Sequence, residues 1–506
     1  MAEKKKKTVA KKKTTSKKKK KSILNSKGFK YTRIVLFLVI LIISIILGYT
    51  LTASNYLPGK YVFILIDILV VLNVIIGMML LTKKRVLNII AIILVVLCST
   101  LFITGDAYFN NIVGSIKNII SNVMYTTDYY FVVPASSGIN DYKELDGTTI
   151  GILENGSENL IKELKDKKIN VQTKTYLSMG DLVYALELRE VSAILISDSM
   201  YELMVSEYEN FDQIGRKLDF SLTVKGKIKA QEASIEKGQS FIVYISGVDN
   251  RDTRTVGTTG LSDVNILAVV NPKAHKILLV NTPRDYYVKL HGAGEKDLKD
   301  KLTHAGLYGI DKSMNTLEDL YTIHINAYAK FNFKAVTTLV DKIGGISVYS
   351  DTAFQSSHIR SWYVKKGVNN MNGAQALAYA RERYAYASGD RHRGKNQEDV
   401  ISAIIKKITT NKKYLLDFPS LLSAIDNYFT TNITEDTIQE LVKDQLDDMP
   451  SWKVESISVN GSNGQNRTYS WPKQVTYVMY PTQSTIDTAK NKIAETLRAT
   501  EWYLLH

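Results

Sequence analysis

Charged side chains recur where apolar segments begin or end between residues 240 and 408. Each stands beside a predicted strand or helix, and the set consists of Asp249, Arg251, Asp263, Arg284, Asp285, Arg381, Arg383, Asp390 and Arg393. Folded scaffolds present functional side chains at such ends, so we expect the set to line one cleft. For any single residue a surface ion pair of little energetic value is the alternative.

The residue types indicate a phosphate ligand. Guanidinium groups pair bidentately with phosphate oxygens, which a lysine ammonium does less well. Asp249 and Asp263 are placed to hold a divalent cation, because magnesium takes one or two carboxylates and completes its shell with substrate oxygens. Isoleucines beginning at Ile401 add an apolar surface beside the arginines. We therefore predict a ligand with a pyrophosphate head, its metal and an apolar tail.

Helical geometry limits how the arginines can converge. In a continuous helix Arg381 and Arg383 would point about 200° apart, so they reach one ligand only if the helix ends near Arg381. Arg393, Gln397 and Ile401 are spaced four residues apart and share one helix face. That face would run from a guanidinium through an amide to the apolar row.

The segments that carry these residues predict an α/β domain over residues 236–412. Apolar strands are predicted at 241–245, 264–270 and 276–281, and the short Asn-Pro-Lys-Ala turn between the last two indicates an antiparallel hairpin. Helices are predicted at 333–343, where a Gly-Gly pair follows, at 374–379 and at 397–408.

Two further regions flank this domain. Strands and helices alternate between residues 138 and 224, which predicts a small accessory α/β domain with parallel pairing within residues 106–235. Residues 413–506 are predicted as an extension that packs on the domain before it. Its helices are expected around 441–446 and 486–497, with a polar turn at 460–466.

The amino-terminal region predicts membrane insertion. Apolar runs at 34–51, 61–81 and 86–103 each approach the roughly 20 residues that span hydrocarbon, so residues 34–105 are predicted as three transmembrane helices. Lys and Arg fill the preceding tail, residues 1–33, and the turn at 82–85, and such flanks stay cytoplasmic. We expect a multi-pass plasma membrane protein with a cytoplasmic amino terminus and its later domains outside.

Charge is distributed very unevenly along the 506 residues. Of the formal net charge of +15, residues 1–33 carry +14 and residues 34–105 carry +3, which leaves −2 for the remainder. The folded part is therefore not basic, and we expect no nucleic-acid partner. The lysine tail is read as a disordered topogenic arm, with anionic-lipid or nucleic-acid binding as the alternative. Cys98 is the only cysteine, which excludes a disulfide within the chain.

Several other polar residues have a structural and a functional interpretation. Asp67 falls inside a predicted span, where snorkelling or a helix–helix hydrogen bond competes with a functional role. Gly156 and Ser157 precede a helix that could receive an anion, but a spacer role for that region is simpler. His304 and His392 lack ligand-like spacing and are predicted to be structural, as is Glu382.

Six motifs stand in order between residues 246 and 397. They are Ser246-Gly247-Val248-Asp249, Ser262-Asp263, Asn281-Thr282-Pro283-Arg284-Asp285, VDKIGGI at 340–346, NGAQALAYARER at 372–383, and Gly389-Asp390-Arg391-His392-Arg393 followed by Gln397. Together they strongly resemble the LytR-CpsA-Psr family. Three spans and an accessory domain look most like its capsular-polysaccharide branch.

This resemblance implies an enzyme that moves a glycan 1-phosphate from a polyprenyl pyrophosphate carrier to a peptidoglycan hydroxyl, forming a phosphodiester. It implies Mg²⁺ or Mn²⁺ and an α-β-α fold with a mixed sheet whose interior holds the polyprenyl chain. Asp249 and Asp263 would then be metal ligands and Arg251 a substrate ligand. The pyrophosphate ligands would be Arg284, Arg381, Arg383 and Arg393, with Asp390 and Gln397 beside them.

Other functions remain open at this point. A carboxylate, Asp390 or Asp263, would take the proton from the acceptor hydroxyl. Hydrolysis of the same lipid pyrophosphate by water uses the same residues, and the sequence does not separate it from transfer. A membrane regulator or transcriptional attenuator, or a wall-glycan scaffold, is the non-enzymatic alternative. Residues 250–261 and 360–366 match no family pattern, so acceptor and glycan contacts there are open.

Overall fold

The structure, a computed structural model, describes residues 27–53, 57–121, 124–154, 157–227, 233–248, 260–292, 299–386 and 389–503. Asp249 and Arg251, predicted as metal and substrate ligands, lie outside the described residues, as does the lysine tail up to residue 26. The side chain of Asp390 is also outside them. The chain divides into two compact units, Met1–Asn110 and Asn111–His506.

The first unit is built from long apolar helices. They are α1 (Lys27–Ala53), α2 (Gly59–Leu81) and α3 (Arg85–Ser121). Each includes a segment long and apolar enough to cross a membrane, with mean hydropathy between 2.8 and 3.0. The helices pack through buried side chains that include Ile40, Ile76 and Val95, and Asp67 is exposed on α2. The three predicted apolar helices are therefore present.

A five-stranded sheet forms the first part of the second unit. Its strands are β1 (Met124–Pro134), β2 (Thr149–Leu153), β3 (Gln172–Tyr176), β4 (Ala193–Ser197) and β5 (Gly215–Lys227), in the order β3-β2-β4-β1-β5. The connecting helices are α4 (Ser157–Asp166), α5 (Met179–Glu187), α6 (Asp198–Glu207) and α7 (Phe211–Ile214). The parallel pairing predicted for this accessory region holds for β2 with β3 and β4, whereas β1 pairs antiparallel.

A six-stranded mixed sheet lies at the centre of the larger part. Its strands are β6 (Phe241–Val248), β7 (Ser262–Asn271), β8 (Lys276–Asn281), β11 (Ala327–Asn332), β16 (Phe429–Thr431) and β17 (Lys453–Ser458), in the order β16-β11-β6-β7-β8-β17. The hairpin predicted for β7 and β8 is antiparallel as expected. β11 runs parallel to β6, and β17 runs parallel to β8.

Helices cover both faces of this sheet, which makes the α-β-α layering that the family resemblance implies. The helices of this part of the chain are α8 (Leu302–Ala305), α9 (Ile310–Tyr321), α10 (Phe333–Lys342), α11 (Gly373–Arg381), α12 (Asp390–Thr409), α13 (Lys412–Leu416), α14 (Phe418–Ser423), α15 (Glu435–Asp448) and α16 (Gln483–Tyr503). On one face α9 and α16 pack against Tyr244 and Leu267. On the other, Ile401 and Ile405 of α12 pack against Val243 and Ile266.

Short strand pairs complete the unit. They are β9 (Tyr287–Lys289) with β10 (Lys299–Lys301), β12 (Ile346–Ser350) with β15 (Gly367–Met371), β13 (Phe354–Gln355) with β14 (Tyr363–Val364), and β18 (Gly461–Arg467) with β19 (Val475–Pro481). Residues 460–466, predicted as a polar turn, are thus mostly strand, because backbone pairing of β18 with β19 does not require apolar side chains.

The carboxyl-terminal segment is built into the central sheet. β16 and β17, which form its two edges, both come from residues 413–506. The helix α16 contributes Ile486 and Ile493 to the core beneath the sheet. The predicted boundary at residue 412 therefore does not coincide with a boundary between layers, and the segment completes the sheet as well as packing on it.

Candidate active site

A polar cavity of about 250 Å³ gathers most of the described residues that the sequence singled out. Its lining residues are Asp263, Arg284, Phe333, His358, Arg381, Arg383, Tyr384, Arg393 and Gln397. They come from β7, the segment after β8, α10, the loop between β13 and β14, α11 with the residues that follow it, and α12. These described lining residues include four arginines and one carboxylate, an excess of positive charge that suits a multiply charged anion.

Arg381 and Arg383 converge because α11 ends at Arg381, as the spacing required. The next residue, Glu382, has extended backbone and is fully buried. Its carboxylate accepts hydrogen bonds from the backbone N–H groups of Arg383, Tyr384 and Ser357. Burial alone would raise the pKa of Glu382, but hydrogen bonds from Ser357 and from the backbone of Tyr384 and Ala385 outweigh burial and lower it. Glu382 is thus the structural anchor that turns the chain and directs both arginines into the cavity.

Each of these arginines also rests on an aromatic ring. The guanidinium carbon of Arg381 lies 4.9 Å from the ring centre of Phe333, and that of Arg383 lies 4.8 Å from the ring centre of Tyr384. Arg383 additionally donates to the Tyr384 hydroxyl at 2.7 Å. Stacking of this kind orients a guanidinium while leaving its in-plane N–H groups available to an anion.

The helix α12 supplies Arg393 and Gln397 on one face, as predicted. It begins at Asp390, seven residues before the predicted start at 397. Its first turns are polar and lack apolar periodicity, which hid them from the sequence pattern. Gly394 lets this part of α12 approach the sheet, since a Cβ there would lie 2.0 Å from the amide nitrogen of Asn281.

Asp263 and Arg284 form a close ion pair at the cavity wall. Arg284 Nη1 lies 2.6 Å from Asp263 Oδ1, and both side chains are less than one-fifth exposed. Asp285 Oδ1 lies 3.7 Å from Arg284 Nε. The shorter contact, to Asp263, is therefore the one that orients the guanidinium.

A second, apolar cavity adjoins the polar one. Phe333, Arg381 and Gln397 line both, and Val264, Leu377 and Ile401 are among the additional apolar walls. Its volume is about 30 Å³, close to the space of one water molecule. Of the predicted isoleucines only Ile401 lines it. A polyprenyl chain would therefore require the helices α10 and α12 to move away from the sheet.

The donor set can be compared with the needs of the predicted cation. Among the described residues no group of three His, Cys, Asp or Glu side chains is arranged to hold a metal. Asp263 offers a carboxylate on the cavity wall, and its partner Asp249 lies outside the described range. One or two carboxylates with phosphate oxygens suffice for magnesium. The described residues thus supply one carboxylate, which is already paired with Arg284, and the Mg²⁺ or Mn²⁺ ion stays a prediction.

Three cavity residues were not predicted from the sequence, namely Phe333, His358 and Tyr384. Phe333 directly follows the cap Asn332 of α10, and Tyr384 follows the arginine pair, so proximity to a predicted site residue was the available signal. His358 Nε2 lies 3.2 Å from the Arg381 carbonyl oxygen, and it reaches the cavity from a loop with no distinguishing pattern. His304 and His392 do not line it.

Comparison with known proteins places this geometry in context. The model of the LytR_cpsA_psr family matches residues 205–493, more than half of the chain. That range includes every described cavity residue and both edge strands of the central sheet, but only the end of the accessory region.

Similar proteins are wall-polymer transferases by name. The polyisoprenyl-teichoic acid-peptidoglycan teichoic acid transferase TagU of Bacillus cereus is 31% identical over 245 residues, covering 48% of this chain and 76% of that protein. TagU of Bacillus subtilis is 34% identical over 221 residues, covering 44% and 69%. The crystal structure of B. subtilis TagV aligns with a TM-score of 0.44 at 25% identity, covering 52% of this chain and 98% of that one.

Proposed function

The chain belongs to the LytR-CpsA-Psr family, and we propose that it is a glycan phosphotransferase that links a lipid-carried wall polymer to peptidoglycan. The observation that carries the proposal is the convergence of Arg284, Arg381, Arg383 and Arg393 on one cavity. The similar TagU proteins are named for transfer of teichoic acid from a polyisoprenyl carrier to peptidoglycan. A pyrophosphate joining polymer and carrier matches the charge that this cavity offers.

In the proposed reaction an acceptor hydroxyl oxygen attacks the phosphorus attached to the glycan. The new bond joins that phosphorus to the acceptor, and the bond to the bridging oxygen of the pyrophosphate breaks. Polyprenyl monophosphate leaves with the electron pair. Phosphoryl transfer of this type depends on positioning and on neutralising charge more than on a protein nucleophile.

The arginines would act at the oxygens whose charge grows. The cavity would present Arg284, Arg381, Arg383 and Arg393 to the pyrophosphate oxygens, where they would stabilise the charge of the departing lipid phosphate. A divalent cation held by Asp249 and Asp263 would supply further neutralisation at the pyrophosphate. Asp263 is engaged by Arg284 at 2.6 Å, which favours Asp390 as the acceptor of the hydroxyl proton.

The membrane topology follows from the charge pattern. Three apolar helices would anchor the chain in the plasma membrane, and the positive tail and the turn at 82–85 would remain cytoplasmic. An odd number of spans then puts residues 106–506 outside, on the side where peptidoglycan lies. The polymer is a wall teichoic acid or, as the three spans and accessory domain suggest, a capsular polysaccharide.

Reconstitution tests the proposal. The full chain in proteoliposomes would receive a polyprenyl-pyrophosphate-linked polymer, either teichoic acid or capsular, and fragments of uncrosslinked peptidoglycan with Mg²⁺. We expect polymer to become attached to peptidoglycan by a phosphodiester with one of the two donors. Release of free polymer phosphate without attachment would identify a hydrolase. If Arg284→Ala transfers normally, while deletion of residues 2–21 abolishes attachment, a regulatory role replaces the enzymatic one.

A further inference from the structure

A second group of charges lies buried where the accessory region meets the rest of the unit. Glu207, at the end of α6, accepts hydrogen bonds from Lys301 Nζ at 2.8 Å and from Trp471 Nε1 at 2.9 Å. His304 Nε2 lies 3.2 Å from the same carboxylate, and its Nδ1 lies 2.7 Å from Asp300. We call Glu207, Asp300, Lys301 and His304 the buried charge cluster.

The buried charge cluster is closely enclosed. Asp300, Lys301 and His304 are each at most 5% exposed. Asp300 also accepts from the backbone N–H and hydroxyl of Ser470, at 2.9 and 2.7 Å. Burial alone would lower the pKa of His304, but Asp300 and Glu207 outweigh burial and raise it to about 9. Two carboxylates thus face two cations, and Glu207 is the one member that comes from the accessory region.

The backbone beside this cluster holds the segment that carries Arg284. The N–H of Thr303 donates to the carbonyl oxygen of Arg284 at 2.8 Å, and the N–H of Leu302 donates to that of Tyr286 at 2.9 Å. Leu302 and Thr303 stand between Lys301 and His304 in the chain. A shift of the cluster therefore moves the two N–H groups that hold the backbone of Arg284 and Tyr286.

The other partner of the ion pair is supported from the same side. Gly306, directly after α8, accepts at its carbonyl oxygen from the N–H of Gly260 at 3.1 Å. A Cβ on Gly306 would lie 2.3 Å from the carbonyl oxygen of Gly260, so the two backbones are in direct contact. Gly260 leads through Ser262 to Asp263. Backbone hydrogen bonds of α8 and Gly306 thus hold the two segments that carry Asp263 and Arg284.

We propose that Glu207, on the accessory region, is a positioning residue that fixes α8 and through it the direction of Arg284. The inference rests on the proposed function in taking Arg284 as a pyrophosphate ligand. It gives the accessory region a role in the reaction: through Glu207, that region holds the phosphate-binding arginine in place. A carboxylate is required because an amide would leave Lys301 buried beside a neutral group.

Binding of farnesyl pyrophosphate to the full chain in detergent, measured by titration calorimetry, tests the inference. We expect Glu207→Gln to raise Kd about tenfold while the number of sites stays near one per chain. Loss of folded protein would lower the number of sites and leave Kd unchanged. The matched control is Glu202→Gln, an exposed glutamate on the same helix α6, for which both quantities should stay at wild-type values.

The same substitution in an Arg284→Lys background separates positioning from general damage. If Glu207 acts through Arg284, Glu207→Gln should raise Kd less than twofold there, because the guanidinium it positions is already gone. The inference would be overturned if Glu207→Gln raised Kd by the same factor in both backgrounds, or if folded Glu207→Gln had the wild-type Kd. Should Glu207→Gln not fold, Trp471→Phe, which removes one donor to Glu207, must show the same dependence on Arg284 at a smaller factor.

Wild-type behaviour distinguishes this inference from the proposed function. Binding without polymer transfer would contradict the transferase assignment and leave the role of Glu207 supported by the titrations. Polymer transfer by the wild-type chain, together with an unchanged Kd for Glu207→Gln, would support the transferase assignment and contradict the role of Glu207. No detectable binding of farnesyl pyrophosphate by the wild-type chain would overturn both.

Discussion

The arginine cavity and the buried charge cluster both hold charged side chains, yet they differ in balance and exposure. Among its described lining residues the cavity has four arginines against Asp263, and Arg383 is exposed. The cluster has two cations against two anions and is shielded from water. Unbalanced charge that reaches solvent indicates a ligand, whereas balanced buried charge indicates structure. Substitutions in the cavity should therefore weaken ligand binding or transfer with little loss of stability, whereas the removal of a fully buried charge from the cluster should lower stability.

The largest expected effect is on the cavity side. Arg381→Ala removes a guanidinium that the Glu382 turn directs at the phosphate, and we expect polymer transfer to fall at least about 100-fold. The melting temperature should stay within about 2 °C of wild type, because Arg381 lines the cavity and is only half-buried. The control is Arg391→Ala, which removes an exposed arginine of α12 that contacts Asn460 outside the cavity. Equal losses in both variants would erase the distinction between cavity and surface arginines.

A substitution at Asp300, inside the buried charge cluster, should lower the melting temperature. Asp300→Asn removes the carboxylate that lies 2.7 Å from His304 Nδ1 and leaves Glu207 as the one anion of the cluster. Breaking such a buried pair costs about 3–5 kcal/mol. For a domain of this size we expect the melting temperature to fall by about 5–10 °C. As a control, Glu190→Gln removes the exposed Lys174–Glu190 pair and should cause no measurable shift. A stable Asp300→Asn protein would mean that the cluster is not structural.

A smaller effect is expected where the polar and apolar cavities meet. Phe333 lines both, so Phe333→Ala should weaken binding of farnesyl pyrophosphate about tenfold through lost apolar contact. Inorganic pyrophosphate, which has no tail, should bind within about twofold of wild type. Competition binding with both ligands measures the two affinities. Equal weakening would show that Phe333 acts only through Arg381, on which it stacks.

The smallest effect is a pH dependence of the cluster. The pKa of His304 is raised to about 9 from an ordinary value near 6.5 by Asp300 and Glu207, against the opposing effect of burial. A raised folded-state pKa stabilises fully below pH 6.5, and that contribution is lost as the pH rises towards 9. We expect the melting temperature to decline by a few degrees between pH 6.5 and 9.5. This decline should be absent in His304→Asn. An equal decline of the melting temperature in that variant would show that a group other than His304 causes it.

Much of the catalytic framework could be predicted from the sequence. The strand predicted at 276–281 has the observed bounds, and the strands predicted at 241–245 and 264–270 are shorter than the observed ones. Buried apolar segments bounded by turn signals can be recognised even when they are only a few residues long. The helix predicted at 374–379 is α11 (Gly373–Arg381), and the stated condition that the helix end near Arg381 for the two arginines to converge is met. The gathering of Asp263, Gln397 and the arginines into one cavity agrees with the expected shared cleft, although the roles of these residues stay predictions.

Other features depend on long-range contacts that no local pattern encodes. Residues 413–506 provide the edge strands β16 and β17, which pair with strands about 100 and 180 residues earlier. Glu207 meets Lys301 and His304 across nearly a hundred residues. His304 was expected to be structural because it lacks ligand spacing, and it indeed lies outside the cavity. Its partners could not be named from the sequence.

The fate of labelled phosphorus tests the central claim most directly. The donor would carry ³²P in the phosphate next to the glycan, and the full chain, its Arg381→Ala variant and its Arg391→Ala variant would each act on it with peptidoglycan present. The arginine-cavity account predicts label in peptidoglycan for wild type and Arg391→Ala, and almost none for Arg381→Ala. Label that leaves with the lipid carrier, or equal transfer by all three proteins, would contradict it.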